Sequence, residues 1–313
     1  MNEPAPDLRP LYGTAPDVSV HHGQIWAGTP PEFFDYIDAH FDFRADDVWL
    51  ISFPRSGTTW TYEIAHAVLQ HGDIPALRAA QDGGKILKFL PLEIGIRTAA
   101  ALPERVAAWK ALPSPRVIPT HVPPQLFPKT AAATGCKLIY VVRDPRDVAV
   151  SLYHLHRSHK LLGSYKGPWD EFFECFIAGN VPYGRWLEHT RAWSAYVDAH
   201  PAAALRVQYE SLQSDFASQV SRLGRFLGID LPSAAVAAIA EHTSFRSMRG
   251  NPFTNRASNP VMDFSVAPFL RKGEVGDWQR KFTPVQSERI QTAWGATLQD
   301  IGLYSLAVPS VAT

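Results

Sequence analysis

Cysteine is scarce in this 313-residue chain, and its two cysteines, Cys136 and Cys175, lie far apart without the spacing of a metal site. A zinc site is therefore not supported, and the thiols are predicted to be buried in a reducing compartment rather than joined in a disulfide. Net charge is also lacking, because 30 basic residues balance 30 acidic ones. No overall field would gather nucleic acid or an anionic membrane, so any anionic ligand must be held by a local cluster of cations.

Long apolar runs are missing as well. No stretch approaches the ~20 apolar residues that cross a bilayer, and the start of the chain, MNEPAPDLRPLYG, lacks the basic and apolar parts of a secretory signal. We therefore expect a cytoplasmic protein with neither nucleic acid nor a membrane as its partner. The length and the 46% of apolar residues allow one large α/β domain or two small ones.

The Walker A pattern G-x-x-x-x-G-K-[ST] is absent too, but residues 48–69, VWLISFPRSGTTWTYEIAHAVL, predict a buried strand, a tight turn and a helix that begins near Thr58. Unpaired amides and the positive end of the helix dipole would meet at this turn, which suits a phosphate. Trp60, at the start of the helix, is placed to stack on a purine. On the turn alone, an ordinary strand–turn–helix with a packed tryptophan is the alternative.

Three segments together resemble the cytosolic sulfotransferases. The turn PRSGTTW is similar to the phosphosulfate-binding turn of that family, which usually has Lys where Arg55 stands. The segment RDPRDVAVSLYHLHR resembles the second nucleotide-binding stretch, in which an Arg and a Ser that match Arg143 and Ser151 hold the nucleotide 3′-phosphate. The segment RKGEVGDW, residues 271–278, is a near-complete match to the third stretch, whose basic residues wrap the same phosphate. Taken alone, this last segment would be interpreted as a solvated basic turn.

A strand is predicted to end at His121, within the segment RVIPTHVPP. In open α/β sheets, residues at the carboxyl ends of strands face the ligand crevice. The chain has 12 histidines, so a single one is weak evidence by itself. The resemblance implies that His121 is the base that deprotonates the acceptor. The sequence departs from the family at Pro119, where many members have a Lys that contacts the transferring sulfonate.

The resemblance also implies the composition of the nucleotide site. Tyr209 and Phe245 match aromatic residues that contact the adenine. His121 and Arg55 are the expected catalytic residues, and no metal is expected. The expected residues of the nucleotide site are Arg55, Ser56, Gly57, Thr58, Thr59, Trp60, Arg143, Ser151, Tyr209, Thr243, Phe245, Arg271, Lys272 and Gly273.

The sequence predicts a single α/β domain over residues 26–305, with a parallel β-sheet flanked by helices in a P-loop-like sulfotransferase fold. Residues 1–25 and 306–313 are predicted to be tails. The function implied by the resemblance is sulfonate transfer from 3′-phosphoadenosine 5′-phosphosulfate (PAPS) to a hydroxyl of a small acceptor, with 3′-phosphoadenosine 5′-phosphate (PAP) as the product. An ATP-dependent phosphotransferase that needs Mg²⁺ and a non-catalytic PAP-binding protein are the alternatives.

Further expectations concern the acceptor, the helix caps and the oligomeric state. Residues 73–115 are predicted to be a long functional loop, and Asp144, Arg146 and Asp147 a solvated cap. Gln279 and Pro284 alter a dimerisation element of the family, so we expect a monomer or a weak homodimer. An apolar or aromatic acceptor is predicted from six side chains in segments that suit a pocket, namely Phe89, Phe172, Phe173, Phe176, Met262 and Phe264.

Overall fold

The computed structural model describes residues 9–13, 15 and 17–303. The strands that these residues form are β1 Val18–His21, β2 Gln24–Ala27, β3 Val48–Ser52, β4 Val117–Thr120, β5 Lys137–Val142 and β6 Ala204–Gln208. The α-helices are α1 Arg9–Tyr12, α2 Phe33–His40, α3 Thr58–Leu69, α4 Ile74–Asp82, α5 Leu102–Lys110, α6 Lys129–Ala133, α7 Pro145–Ser158, α8 Trp169–Ala178, α9 Trp186–Ala199, α10 Tyr209–Ser214, α11 Phe216–Phe226, α12 Ser233–His242, α13 Phe245–Gly250 and α14 Pro284–Asp300.

Strands β3 to β6 form one parallel sheet in the order β4–β3–β5–β6. In the interior strand β3, Val48 pairs with Val117 on one side and with Lys137 on the other. Every residue of β3 is buried, as its continuous apolar sequence requires. The predicted parallel sheet is confirmed.

The two faces of the sheet pack into separate hydrophobic layers. Successive side chains of a strand point to opposite faces, and in β3 Trp49 and Ile51 belong to one layer while Val48 and Leu50 belong to the other. Helix α3 packs in the second layer, and helix α9 covers the first with the fully buried Trp186 and Trp193. The predicted helices on both faces are therefore present.

The prediction of a long loop over residues 73–115 is wrong, because this range contains helices α4 and α5. Asp73 caps α4 by accepting a hydrogen bond from the amide of Ala76 at 2.9 Å. In α5, Leu102, Val106 and Trp109 recur at helical spacing and are buried. These local signals are clear in the sequence once the prolines are taken as first-turn residues rather than as breakers.

The predicted tail over residues 1–25 also differs from the structure where the chain is described. Strands β1 and β2 pair as an antiparallel hairpin, and Leu11 and Tyr12 of α1 are buried in the core. The burial of Leu11 and Tyr12 holds this proline-rich segment against the core, because it removes apolar area from water. The predicted C-terminal tail, residues 306–313, lies outside the described residues.

Both cysteines are buried and free, as predicted. Among residues 9–13, 15 and 17–303, no helix is both long and apolar enough to cross a membrane. The same ranges contain no group of three His, Cys, Asp or Glu side chains arranged for a metal ion.

Candidate active site

One cavity of about 840 Å³ opens at the carboxyl edge of the parallel sheet. Arg55, His121, Arg143 and Tyr209 each follow the end of a different strand, and all four line this cavity. Of the fifteen residues predicted for the site, Ser56 alone does not line the cavity, and Ser56 is buried with 1% of its surface exposed. The structure therefore brings together residues that are up to 218 positions apart in the chain.

The predicted phosphate turn connects β3 to α3. Arg55 and Gly57 have left-handed backbones, with φ of 72° and 102°, and α3 begins at Thr58 without a side-chain cap. The first amides of a helix have no partner within the helix, so they are available to an anion. A Cβ at Gly57 would lie 2.7 Å from Cδ2 of Tyr209, so glycine is needed for the close approach as well as for the turn.

The hydrogen bonds of His121 determine its tautomer. Its Nδ1 lies 2.8 Å from the carbonyl oxygen of Ser52, and a carbonyl can only accept, so Nδ1 carries the proton. The other ring nitrogen, Nε2, is then the basic one. Burial, together with the charges of Arg256 and Arg55, lowers the pKa of His121 to about 4. The ring is therefore neutral at pH 7 and able to accept a proton.

Two buried side chains that the sequence did not single out hold the backbone of His121. The carboxylate of Glu93 accepts hydrogen bonds from the hydroxyl of Thr120 at 2.9 Å and from the amide of His121 at 2.8 Å. Burial raises the pKa of Glu93. The Nε2–H of His189 donates to the carbonyl of His121 at 3.1 Å. The only sequence signal for Glu93 was an acidic residue inside the apolar segment LPLEIGI.

Arg55 crosses the cavity from the turn to helix α7. Its Nε donates to Oγ of Ser151 at 3.0 Å and its Nη2 donates to the carbonyl of Phe269 at 3.0 Å. Burial and the charges of Arg143, Arg256 and Arg271 lower the pKa of Arg55 to about 9. Guanidinium remains protonated in proteins, and a buried cation among other cations is stabilised by a bound anion.

Arg143 lies over the ring of Tyr209, with Cζ 4.3 Å from the ring centroid. It also donates to the carbonyl of Glu274 at 2.9 Å, and one nitrogen is 3.7 Å from Asp147. Its Nε is buried without a hydrogen-bond partner among the described residues. A buried donor of this kind is expected to have a ligand, so the side chain is suited to hold a phosphate oxygen.

The prediction of a solvated cap at Asp144, Arg146 and Asp147 is wrong, because all three are buried. Asp144 does cap α7 and pairs with Arg146. Asp147 accepts hydrogen bonds from the amides of Gly276 and Trp278 at 2.8 and 3.0 Å. The carboxylate thereby attaches the third predicted stretch to the second. Asp147 is buried because these two stretches pack together, which the sequence alone does not reveal.

The basic turn of the third stretch is held by one carboxylate. Arg271 and Lys272 both form short ion pairs with Asp277. Although burial opposes it, the hydrogen bonds from Lys272 and Arg271 leave the pKa of Asp277 below its ordinary value. The Nε of Arg271 is buried without a hydrogen-bond partner among the described residues. Asp277 thus holds both cations at the cavity, and the Nε–H of Arg271 is available to donate a hydrogen bond to a ligand.

Four aromatic and polar side chains form the predicted adenine end of the cavity. The indole N–H of Trp60 donates to the carbonyl of Thr243 at 2.9 Å, and the rings of Trp60 and Tyr209 pack edge to face at 5.4 Å. Gly273 has φ of 70°, and a Cβ there would lie 2.4 Å from Cδ2 of Phe245. The glycine therefore fixes where the ring of Phe245 can lie.

Replacing Gly273 with Ala is expected to move the ring of Phe245 and to strain the left-handed backbone. We expect the free energy of unfolding to fall by ~1–3 kcal/mol and the affinity for an adenine nucleotide to fall with it. Thermal unfolding with and without PAP measures both effects. Gly84→Ala is the matched control, because Gly84 has φ of 69° but no atom within 4 Å of the added Cβ. An equal loss of PAP affinity in both variants would contradict the role of the Phe245 contact.

The cavity has many apolar lining residues, but most of the residues predicted for the acceptor are not among them. Of the six, Phe89 lines this cavity. Phe172, Phe173 and Phe176 are fully buried in the core around α8. The prediction is wrong for these three because α8 is covered on several sides, which composition does not reveal. Met262 borders a small neighbouring pocket, and Phe264 lines neither. The apolar lining of the cavity instead includes Leu90, Ile94, Leu155, Leu162, Tyr183, Val261 and Phe269. The ring of Tyr183 lies 5.3 Å from that of His121.

The altered dimer element has a local explanation in the structure. Pro284 is the first residue of α14, a position at which its missing N–H is not needed. Thr283 and Gln286 form a capping box at the same helix end. Gln279 lies in the short 3₁₀ helix that precedes this segment. A monomer or weak homodimer stays a prediction.

A parallel sheet with cations and a tight turn at its carboxyl edge is typical of an α/β protein that binds an anionic nucleotide. The model of the sulfotransferase domain family matches residues 45–302. This match spans most of the chain, and the chain therefore belongs to the sulfotransferase family. The family recognised in the sequence is confirmed.

The chain is similar to vertebrate sulfotransferases along most of its length. It is 38% identical to sulfotransferase 1A1 of Bos taurus over 250 residues, which cover 79% of this chain and 82% of the relative. It is 36% identical to sulfotransferase 1B1 of Canis lupus familiaris over 266 residues, which cover 83% and 87%. The crystal structure of mouse sulfotransferase SULT7A1 in complex with PAP aligns with a TM-score of 0.74 and 31% identity, covering 92% and 96%. The predicted sulfotransferase fold is confirmed.

Proposed function

We propose that this protein transfers a sulfonate from PAPS to a hydroxyl of a small apolar acceptor, with His121 as the general base. The donor is the best-supported part of the proposal. The solved mouse relative, at 31% identity, contains PAP, which is the product that PAPS leaves. The prediction of PAPS as the co-substrate is thereby confirmed, and the ATP-dependent phosphotransferase is not retained because the chain belongs to the sulfotransferase family.

The observation that carries the assignment of individual residues is their convergence on one cavity. PAPS has a phosphosulfate at one end and a 3′-phosphate at the other, so it needs two anion sites with an adenosine between them. Arg55 and the first amides of α3 are suited to the phosphosulfate. Arg143, Arg271 and Lys272 are suited to the 3′-phosphate, and the rings of Trp60, Tyr209 and Phe245 to the adenine.

The proposed step is an in-line displacement at sulfur. The acceptor oxygen forms a bond to sulfur, and its proton passes to Nε2 of His121. The bond between sulfur and the 5′-phosphate oxygen breaks, and its electron pair stays on that phosphate oxygen. Arg55 and the amides of the turn stabilise this growing charge, which is usually the largest catalytic term.

An apolar acceptor is supported by the apolar lining of the cavity that contains His121. This lining includes Leu155, Phe269 and Tyr183, whose ring lies 5.3 Å from that of His121, and pockets of this kind hold ligands by their apolar surface. Neutral phenols and alcohols are therefore the first acceptors to assay. PAP formed from PAPS in their presence distinguishes an enzyme from a non-catalytic PAP-binding protein. The cytoplasmic location stays a prediction.

The donor assignment predicts which nucleotide stabilises the protein. At about 100 times its Kd, PAP is expected to raise Tm by about 4 °C, since ligand binding adds ~2.7 kcal/mol to the free energy of unfolding. ADP lacks the 3′-phosphate and should raise Tm less at the same concentration. Differential scanning fluorimetry with PAP, ADP and Mg-ATP measures the difference. A larger rise with Mg-ATP than with PAP would contradict the proposed function.

A further inference from the structure

Arg256 lines the same cavity, although no sequence motif points to it. It belongs to the long segment between α13 and α14, and its backbone is left-handed with φ of 57°, which is uncommon for a residue other than glycine. Its Nη2 donates to the carbonyl of Phe89 at 2.7 Å. Its Cζ lies 5.0 Å from the ring centroid of Phe89 and 4.4 Å from that of Phe269. The guanidinium is thus held in a defined place by two rings and one carbonyl.

The charge of Arg256 has no carboxylate within ion-pair distance among the described residues. Three other arginines of the cavity do have one, since Arg97 pairs with Asp17, Arg143 with Asp147 and Arg271 with Asp277. The Nε of Arg256 is also buried without a hydrogen-bond partner in the described part of the chain. A buried cation is costly unless it is paired, so Arg256 is suited to bind an anionic group of a ligand.

Arg256 and Arg55 are placed to bind one anionic group together. Both guanidinium groups lie against the ring of Phe269, with Cζ 4.4 Å and 4.8 Å from its centroid. Arg55 likewise has no carboxylate partner among the described residues. The charge of Arg256 also contributes, after burial, to the lowered pKa of both His121 and Arg55. Arg256 therefore lies with the proposed phosphosulfate clamp on the ring of Phe269, in the cavity that the proposed base also lines.

We propose that Arg256 donates hydrogen bonds to the oxygens of the sulfonate as it passes from the 5′-phosphate to the acceptor. This inference rests on the proposed function. The group in transfer lies between the leaving phosphate, which Arg55 faces, and the acceptor oxygen, which His121 faces. Arg256, like Arg55, lines this cavity without a carboxylate partner among the described residues, and it neither gains nor loses a proton in the step. Its planar fork suits two oxygens of one sulfonate.

A comparison of PAPS with PAP tests this role without an acceptor, because the two molecules differ by the sulfonate. In Arg256→Gln, isothermal titration is expected to show a Kd for PAPS about tenfold higher than in the wild type, as for the loss of a charged hydrogen bond. The Kd for PAP should stay within about twofold. Arg256→Lys keeps the charge without the fork and should fall between the two.

Arg97→Gln is the matched control, because Arg97 lines the cavity, also has a left-handed backbone with φ of 61° and has Asp17 as its partner. It should leave the PAPS and PAP affinities unchanged. If Arg256→Gln leaves PAPS binding unchanged, or weakens PAPS and PAP equally, the inference is overturned. Loss of turnover confined to acceptors with a carboxylate would overturn it in favour of an acceptor-binding role.

Two controls separate this result from other failures. If the wild-type protein binds neither PAPS nor PAP, the proposed function fails, and the role of Arg256 fails with it. If the wild type binds both and Arg256→Gln binds both as tightly, the inference about Arg256 fails alone. Unfolding curves of each variant show whether the fold is kept, and the Lys variant supplies the test if the Gln variant is unstable.

Discussion

Replacing His121 with Asn is expected to lower kcat by ~10²–10⁴, the usual contribution of a general base. Asn can still place an N–H near the position of Nδ1 and donate to the carbonyl of Ser52, so the local packing is largely kept. The Asn side chain has no basic nitrogen at the position of Nε2 and cannot accept the acceptor's proton. We therefore expect the Tm rise with PAP to be unchanged while PAP formation from PAPS and a neutral phenol is almost lost. An unchanged kcat would show that His121 is not the base.

His154→Asn is the control for this experiment. Burial and the charges of Arg271, Arg157 and Lys281 lower the pKa of His154 to about 4, as in His121, but His154 does not line the main cavity. It should retain nearly full turnover. The pH profile is a second measurement, because the neutral ring is the active form. Activity should fall as the pH drops through the pKa of His121, so kcat/KM of the wild type should stay flat from about pH 8 to pH 6 with respect to this group.

The parts of the site that follow strand ends could be predicted from the sequence because their signals are local. A short apolar run that ends in a turn, such as that of β3, is typical of a buried strand, and the residue after such a strand lies at the ligand edge of the sheet. This pattern predicts the places of Arg55 and His121, the family resemblance implies those of Arg143 and Tyr209, and the structure shows all four around one cavity. Their individual roles remain proposals.

The parts that could not be predicted depend on contacts between distant segments. Arg256 is 201 positions after Arg55 in the chain, and only the stacking of both on Phe269 brings them together. Glu93 is one acidic residue in an apolar segment until the hydrogen bond to the His121 amide is seen. Hydrophobicity alone predicts Phe172 as a pocket residue, but hydrophobicity does not distinguish a side chain that lines a pocket from a side chain that is buried in the core. The number of neighbours of a side chain depends on the whole fold.

The 3′-phosphate assignment makes the second large prediction. Removing the two cations in Arg143→Ala with Lys272→Ala should raise the Kd for PAP by ~10²–10⁴, since each charged hydrogen bond contributes ~1.5–3 kcal/mol. Adenosine 5′-monophosphate has no 3′-phosphate, so its Kd should change little in the same double variant. Isothermal titration with both nucleotides measures the contrast.

Arg280 provides the control for that contrast. It also contacts Asp277, at 3.3 Å, but its side chain is 68% exposed and does not line the cavity. Arg280→Ala removes a cation from the same carboxylate and should leave the Kd for PAP within about twofold, because exposed ion pairs contribute little. Equal losses for PAP and the monophosphate in the double variant would mean that Arg143 and Lys272 act on the fold or on the 5′ end. A loss confined to PAP would mean that these two cations recognise the phosphate that distinguishes PAP from other adenine nucleotides, and the donor specificity of the enzyme would then reside in a turn and a strand end 129 residues apart.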